Sequence, residues 1–143
     1  MSEFLHPDES PGLLLWRTTL RWQRAMKAAL KPLDLTHVQF VLLASVWWLN
    51  EVAGETPTQR RIAEHAATDP MMTSQVLRAL ESKRLVERRP DPHDSRARNV
   101  GVTDAGAELA RRAVAVVEAA DSTFFAAVKN QREVVAVLRA LAE

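Results

Sequence analysis

Residues 58–103 restrict the fold more than any other stretch of the chain. Thr58, followed by Gln59 to Ala66 with Ile62, Ala63 and Ala66 on one face, predicts a short capped helix. Ala67 to Asp69 leave room only for a tight turn. Pro70, at a first helical position behind Asp69 as its cap, predicts a second helix running to about Lys83. Two short helices across such a turn give the helix-turn-helix outline, which ordinary helical hairpins share. The next segment narrows the choice. Leu85 to Arg89 and Asn99 to Val102 read as short strands, the latter with Val100 and Val102 on one face. Between them, Pro90 to Arg98 is rich in proline and charge and offers only Ala97 for burial. A helix followed by a basic-tipped hairpin is the winged form of the helix-turn-helix.

The flanks are helical. Leu13, Trp16, Leu20, Met26 and Leu30 recur at largely helical spacing, with Arg17, Arg21, Arg24 and Lys31 on a separate stripe, until Pro32 breaks the pattern. Thr36 is placed to cap a second helix through Trp48, apolar nearly all round and so central to the core. Asn50 to Pro57 reads as a loop. Thr103 caps a long helix from Asp104 to about Val128, with Leu109, Ala113, Val116, Ala120, Phe124 and Val128 at three-to-four spacing and Val114, Val117 and Phe125 widening the face. A last helix from about Gln131 to Ala142 carries Val134, Val135, Leu138 and Leu141. These terminal helices are more apolar than a small monomer covers easily. They either dimerise or pack on the first helix of their own chain, and dimerisation is the economical reading. The expected fold is mainly α: one domain over 1–143, with 13–50 and 104–143 a helical dimerisation region and 58–103 a winged helix-turn-helix.

Charge supports the central block. The formal net charge is only +1, which as a total argues weakly against a nucleic-acid partner. Yet residues 58–98 hold nine basic against six acidic side chains, while residues 1–12 are acidic and 99–143 almost neutral. A basic segment in a neutral chain suits a polyanion, although a solvated mixed surface gives the same count. With no cysteine, a disulfide framework, a cysteine zinc site, an iron–sulfur cluster and thiol redox sensing are excluded. His6, His37, His65 and His93 show no metal-ligand spacing, and no nucleophile motif or phosphate loop is present. Neither enzyme activity nor a cofactor is expected. The start lacks a signal-peptide pattern and the Phe40–Leu49 stretch is about half of what a membrane span needs, so a cytoplasmic protein with no membrane partner is expected.

On a helical wheel, Met71, Ser74, Gln75, Arg78 and Ser82 share the outer face of the second short helix. Gln75 can bind adenine through two hydrogen bonds, Arg78 guanine or phosphate, and Met71 can pack on a thymine methyl. Thr73, which the wheel places with Val76, Leu77 and Leu80, is also counted among the candidate contacts. In the hairpin, Arg96 and Arg98 suit a minor groove, whose negative potential favours arginine. Arg88 reads as a phosphate or structural contact, and Arg60 as a backbone contact or a solvated charge. A wing and helix of this kind could also serve a protein partner without specific DNA binding.

The run Leu80-Glu81-Ser82-Lys83-Arg84-Leu85-Val86, then Arg88, Asp91-Pro92-His93-Asp94-Ser95-Arg96 and Val100-Gly101-Val102-Thr103-Asp104-Ala105-Gly106, resembles the MarR (multiple antibiotic resistance regulator) family. The resemblance follows element order over nearly the whole chain, and the wing is its specific part. It implies a homodimeric regulator of transcription, usually a repressor, binding double-stranded DNA with a pseudo-palindromic operator and often released by a small molecule. It adds Asp94 and Ser95 to the wing contacts, with Asp94 pairing with Arg96 and orienting it. It places effectors between the first, second and fifth helices, here Trp16, Leu20, Phe40, Leu43 and Trp47, with Val114 and Val117 also available and Arg17 or His37 as polar groups, which would suit an aromatic or apolar acid. The same aromatic residues equally make a plain core. Two departures stand out: Arg84 where the family commonly has glycine, and Met71 and Met72 where small hydroxylated residues are frequent.

Overall fold

A computed structural model describes residues 6–143. Its helices are α1 (Pro11–Leu30), α2 (His37–Trp47), α3 (Gln59–Ala66), α4 (Pro70–Ser82), α5 (Asp104–Phe125) and α6 (Gln131–Ala142), with strands β1 (Val86–Pro90) and β2 (Arg98–Val102) between α4 and α5. The expected mainly α, winged helix-turn-helix fold is what forms.

Local chemistry sets the boundaries. Ser10, Thr36, Thr58, Asp69 and Thr103 each accept a backbone N–H of the helix they start, and Thr36 with Gln39 completes a capping box. Lys31–Leu33 tightens to a 3-10 turn at Pro32, and Asp34 turns the chain in the left-handed region. Two expectations shift. The second helix does not give way to loop at Asn50 but continues as a π-helical turn, Trp48–Val52. The fifth helix stops at Phe125, short of Val128, which is 43% exposed.

The core is built around α2. Leu42, Leu43, Val46 and Leu49 are fully buried with Met26 and Leu30 of α1, Ile62 of α3, Leu77 and Leu80 of α4, Val100 of β2 and Ala110 and Ala113 of α5. The Val, Leu, Ile and Met side chains among them stabilise by about 1.5–3 kcal/mol each when fully buried. The inward stripe of α5 runs through Gly106, Ala107, Ala110, Ala113 and Val117 rather than through Val116 and Phe124. These small residues let α5 lie close against α1 and α2, where Trp22 donates its indole N–H to Asp121 at 2.8 Å. α6 behaves differently: none of its residues is buried, and Val135, Val137, Leu138 and Leu141 are 45–70% exposed. Packing on the first helix of the same chain therefore holds for α5 and fails for α6.

β1 and β2 pair antiparallel with Val86 opposite Val102 and Pro90 opposite Arg98. The hairpin is extended on its outer edge, because Val100 donates its N–H to the Pro57 carbonyl at 2.9 Å and Thr58 bridges to Asn99. The segment entering α3 thus acts as a third, minimal strand. No described helix is long and apolar enough to cross a membrane.

Candidate nucleic-acid interface

α4 presents two chemically distinct faces. Its inner face is Thr73, Leu77 and Leu80, all fully buried. The Thr73 hydroxyl donates to the Asp69 carbonyl at 2.8 Å and meets the Thr68 hydroxyl at 2.7 Å, locking the start of α4 to the turn after α3. Thr73 is therefore no DNA contact: its side chain is enclosed and its hydrogen bonding is already satisfied. The outer face carries Met71, 73% exposed, together with exposed Gln75 and Arg78 and half-buried Ser74. Arg78 folds back along the helix, its guanidinium at 3.3 Å from the Ser74 hydroxyl. It has no carboxylate within ion-pair distance among the described residues, so it can swing outward for the loss of two long hydrogen bonds, to the Ser74 carbonyl and hydroxyl.

The wing tip is shaped by its own acids. Asp91 accepts the N–H groups of His93 and Asp94, at 2.7 and 3.2 Å, and the Ala97 N–H returns to the Asp94 carbonyl at 3.1 Å. Asp94 accepts the backbone N–H of Arg96 at 2.9 Å. The expected pairing of Asp94 with Arg96 thus corrects to a turn contact with the main chain: the short aspartate reaches the amide two residues on, and the guanidinium stays unpaired. Arg96 and Arg98 are exposed, as is Ser95, and neither arginine has an acid partner among the described residues.

The other basic candidates are engaged. Arg88 points inward from β1, with its guanidinium at 3.2 Å from Glu81 at the end of α4 and 3.3 Å from the Gln59 side chain at the start of α3. Its side chain is only 19% exposed, which makes it a strut between wing, α3 and α4, the structural one of the two roles expected of it. Arg60 forms an exposed pair with Glu64 along α3 at 3.3 Å, a contact worth about 0–1 kcal/mol that a phosphate can replace. Arg61 is clamped in two-point fashion by Glu55, which raises its already high pKa. Arg84, at φ 61, occupies the left-handed turn between α4 and β1 where glycine would be unstrained.

The expected effector residues differ widely in exposure, although Phe40, Leu43 and Trp47 pack in one core cluster. Trp16 is 63% exposed on α1, Leu43 is fully buried in the core, and Leu20, Phe40 and Trp47 lie between these extremes. Trp47 has a buried indole N–H without a hydrogen-bond partner among the described residues. The groove of about 900 Å³ lies elsewhere, between the α1–α2 elbow and the end of α4, and is lined by Lys27, Lys31, Leu35, His37, Gln39 and Lys83. None of the five apolar residues expected of an effector site lines it, whereas His37, an expected polar group, does. On its wall, His37 packs edge-on to Trp22 with centroids 4.9 Å apart. Burial lowers the His37 pKa and the nearby Asp121 carboxylate offsets part of that. Among the described residues no cluster of His, Asp or Glu could hold a metal ion. A residue missing from the sequence reading is Asn50, whose amide joins the π-helical turn to β2. Its partners are remote in sequence, so no local pattern marks it.

The MarR family model matches residues 35–97. The chain is 42% identical over 140 residues to the uncharacterized HTH-type transcriptional regulator YdcH of Bacillus subtilis, covering 98% of this chain and 95% of that one. It is 36% identical over 120 residues to the HTH-type transcriptional repressor Rv2887 of Mycobacterium tuberculosis, 83% of each chain. The solved structure of Rv2887 in complex with p-aminosalicylic acid superposes with a TM-score of 0.70 at 32% identity, over 94% of this chain and 99% of that one. A mutant of Escherichia coli MarR complexed with operator DNA superposes with a TM-score of 0.79 at 25% identity, over 98% and 97%.

Proposed function

Since the chain belongs to the MarR family of winged helix-turn-helix transcriptional regulators, we propose that it acts as a homodimeric repressor that grips a pseudo-palindromic operator with α4 and the wing. The observation that carries this reading is chemical: exposed Met71, Gln75 and Arg78 on one helix face, followed by a wing whose Arg96 and Arg98 have no acid partner among the described residues. Members of this family are DNA-binding regulators and not enzymes.

The division of labour follows the burial pattern. Residues 58–103 meet the DNA; α4 enters a major groove, where Gln75 and Arg78 can address base edges and Met71 a thymine methyl. Ser74 and Arg60 lie where hydroxyl and guanidinium can take phosphate, and Arg96 and Arg98 enter the flanking minor groove, with Asp94 and Ser95 shaping the turn. Residues 13–50 and 104–143 form the dimer. Supporting this, no residue of α6 is fully buried among the described residues, and Leu14, Leu15 and Trp16 of α1 stand 41–63% exposed, apolar surface a second copy would cover. A two-fold dimer reads half-sites about one helical turn apart.

Release by a small aromatic or apolar acid is the further part of the reading. The complex of Rv2887 with p-aminosalicylic acid supports it, and Trp16, Leu20, Phe40 and Trp47 remain the residues to test, with Leu43 behind them in the core. Such a ligand weakens DNA binding only by favouring a dimer arrangement that fits the operator less well.

The test is a partition. Arg96→Ala should weaken binding to specific and unrelated duplexes alike, whereas Gln75→Ala should chiefly erase the preference for the operator. Binding titrations on both duplexes read this out, and equal losses on both duplexes for both variants would contradict the assignment.

A further inference from the structure

Two N–H groups of β2 point away from the hairpin, and both are taken by the segment that links α2 to α3. Val100 donates to the Pro57 carbonyl at 2.9 Å. Val102 donates to the Oδ1 of Asn50 at 2.8 Å, across 52 positions of sequence. The other end of the same amide, Nδ2, donates to the Glu55 carbonyl at 3.1 Å. The two partners fix the amide's orientation, since an N–H must meet the oxygen and a carbonyl must meet the NH2.

Asn50 sits in the π-helical turn Trp48–Val52, between fully buried Leu49 and exposed Glu51. The turn is closed by Ala53 N–H to the Trp48 carbonyl at 3.0 Å and Glu55 N–H to the Leu49 carbonyl at 2.7 Å. Such turns widen a helix locally and often mark functional positions. Here it sets a side-chain amide against the last residue of β2, next to Thr103, which caps α5. Glu55 also clamps Arg61 of α3. One side chain therefore meets the end of α2, the entry to α3 and the base of the wing.

We infer that Asn50 is a positioning residue for DNA binding, fixing the angle at which the wing leaves the body and hence where Arg96 and Arg98 arrive. This rests on reading the wing as a DNA contact. The lever is long: Arg98 is four residues from Val102, roughly 13 Å of extended strand. A rotation of about 5° at the base moves that end by about 1 Å, which matters to a side chain entering a minor groove about 6 Å wide. The apolar contacts at the base, Val86 and Val100 against the core, hold the hairpin down without fixing its outer edge. Asn50 and the Pro57 carbonyl supply that edge.

The test is a double-mutant cycle on the full-length protein with operator DNA. Asn50→Ala should weaken binding roughly tenfold, because a wing freed at its base must be brought back to one angle when its arginines enter the groove. In an Arg96→Ala, Arg98→Ala background the same change should cost less than about twofold, because a misplaced wing without its arginines has little left to lose. Combined with Gln75→Ala, its effect should be undiminished. A general loss of stability would add fully in both backgrounds, and that result overturns the proposal. Amide hydrogen exchange on the free protein decides the matter independently of DNA. Asn50→Ala should speed exchange at Val100, Val102 and the 91–98 turn and leave α4 unchanged, and Asn50→Asp, which keeps the acceptor, should restore protection at Val102. Unchanged exchange in the wing overturns the proposal even if the arginine variants bind DNA normally, a result that would instead remove the reading of the wing as a DNA contact.

Discussion

Replacing Gly106 by alanine is the sharpest test of how the wing is joined to α5. A Cβ built there lies 1.9 Å from the Leu85 carbonyl oxygen, 2.8 Å from its carbon and 2.8 Å from a Val102 methyl. The oxygen cannot move aside, because it accepts the Thr103 N–H at 3.0 Å and the Thr103 hydroxyl at 3.2 Å. Ordinary contact near 3.5 Å would require the start of α5 to retreat by about 1.5 Å. That retreat breaks the cap in which Thr103 accepts the Gly106 N–H at 3.0 Å, a loss of about 1 kcal/mol. It also lifts Ala107 and Ala110 off the core, and the strain of forcing a methyl into a packed site typically adds about 1–3 kcal/mol. About 3 kcal/mol in all is a sizeable share of the 5–15 kcal/mol of a typical domain, and for a chain of this length it lowers the Tm by about 10 °C. Thermal unfolding followed by circular dichroism, at equal protein concentration, measures it. A Gly106→Ala protein melting within about 2 °C of the parent would refute the close approach of α5 to the wing base.

Other consequences concern buried or strained groups. Thr73→Val should lower stability by about 1 kcal/mol in denaturant titrations, through the lost bonds to Asp69 and Thr68, while leaving the ratio of operator to non-operator affinity intact; a changed ratio would restore Thr73 as a DNA contact. Arg84→Gly should raise stability by about 1 kcal/mol by relieving the left-handed φ, seen as a higher denaturation midpoint, and a lower one would show that the arginine side chain contributes more than its backbone strain costs. His37 is held with its pKa below the ordinary 6.5 by burial. The unfolded chain then binds the proton more readily, so the stability His37 contributes is complete above about pH 6.5 and declines as the pH falls through the folded pKa. Denaturation midpoints of the parent should therefore drop more steeply below pH 6.5 than those of His37→Gln, and parallel profiles would contradict the burial argument.

What could be read from the sequence was what neighbouring residues decide. Thr36, Thr58, Asp69 and Thr103 announce their helices because a cap acts within three residues, and the prolines and acids of 90–98 could only make a turn. The helical wheel already set Thr73 beside Leu77 and Leu80, and its burial follows from that periodicity. Long-range partners were illegible. Nothing around Arg88 shows that Glu81 and Gln59 will enclose it, and nothing around Asn50 shows that it meets Val102. On α5 the predicted face holds at Leu109, Ala113, Val117 and Ala120 but omits Gly106, Ala107 and Ala110, because glycine and alanine carry little hydrophobic signal.

Arginines that have no acid partner among the described residues, on a helix face and a wing, are proposed to bind a DNA duplex as a two-fold pair. The most direct test is the salt dependence of operator affinity, from about 50 to 200 mM, for the parent and for Arg96→Ala. Log affinity should fall steeply and linearly with log salt concentration, with a slope shallower by about two for Arg96→Ala, one phosphate-range contact from each subunit of the dimer. A flat profile, or the same slope in both proteins, would contradict the proposal.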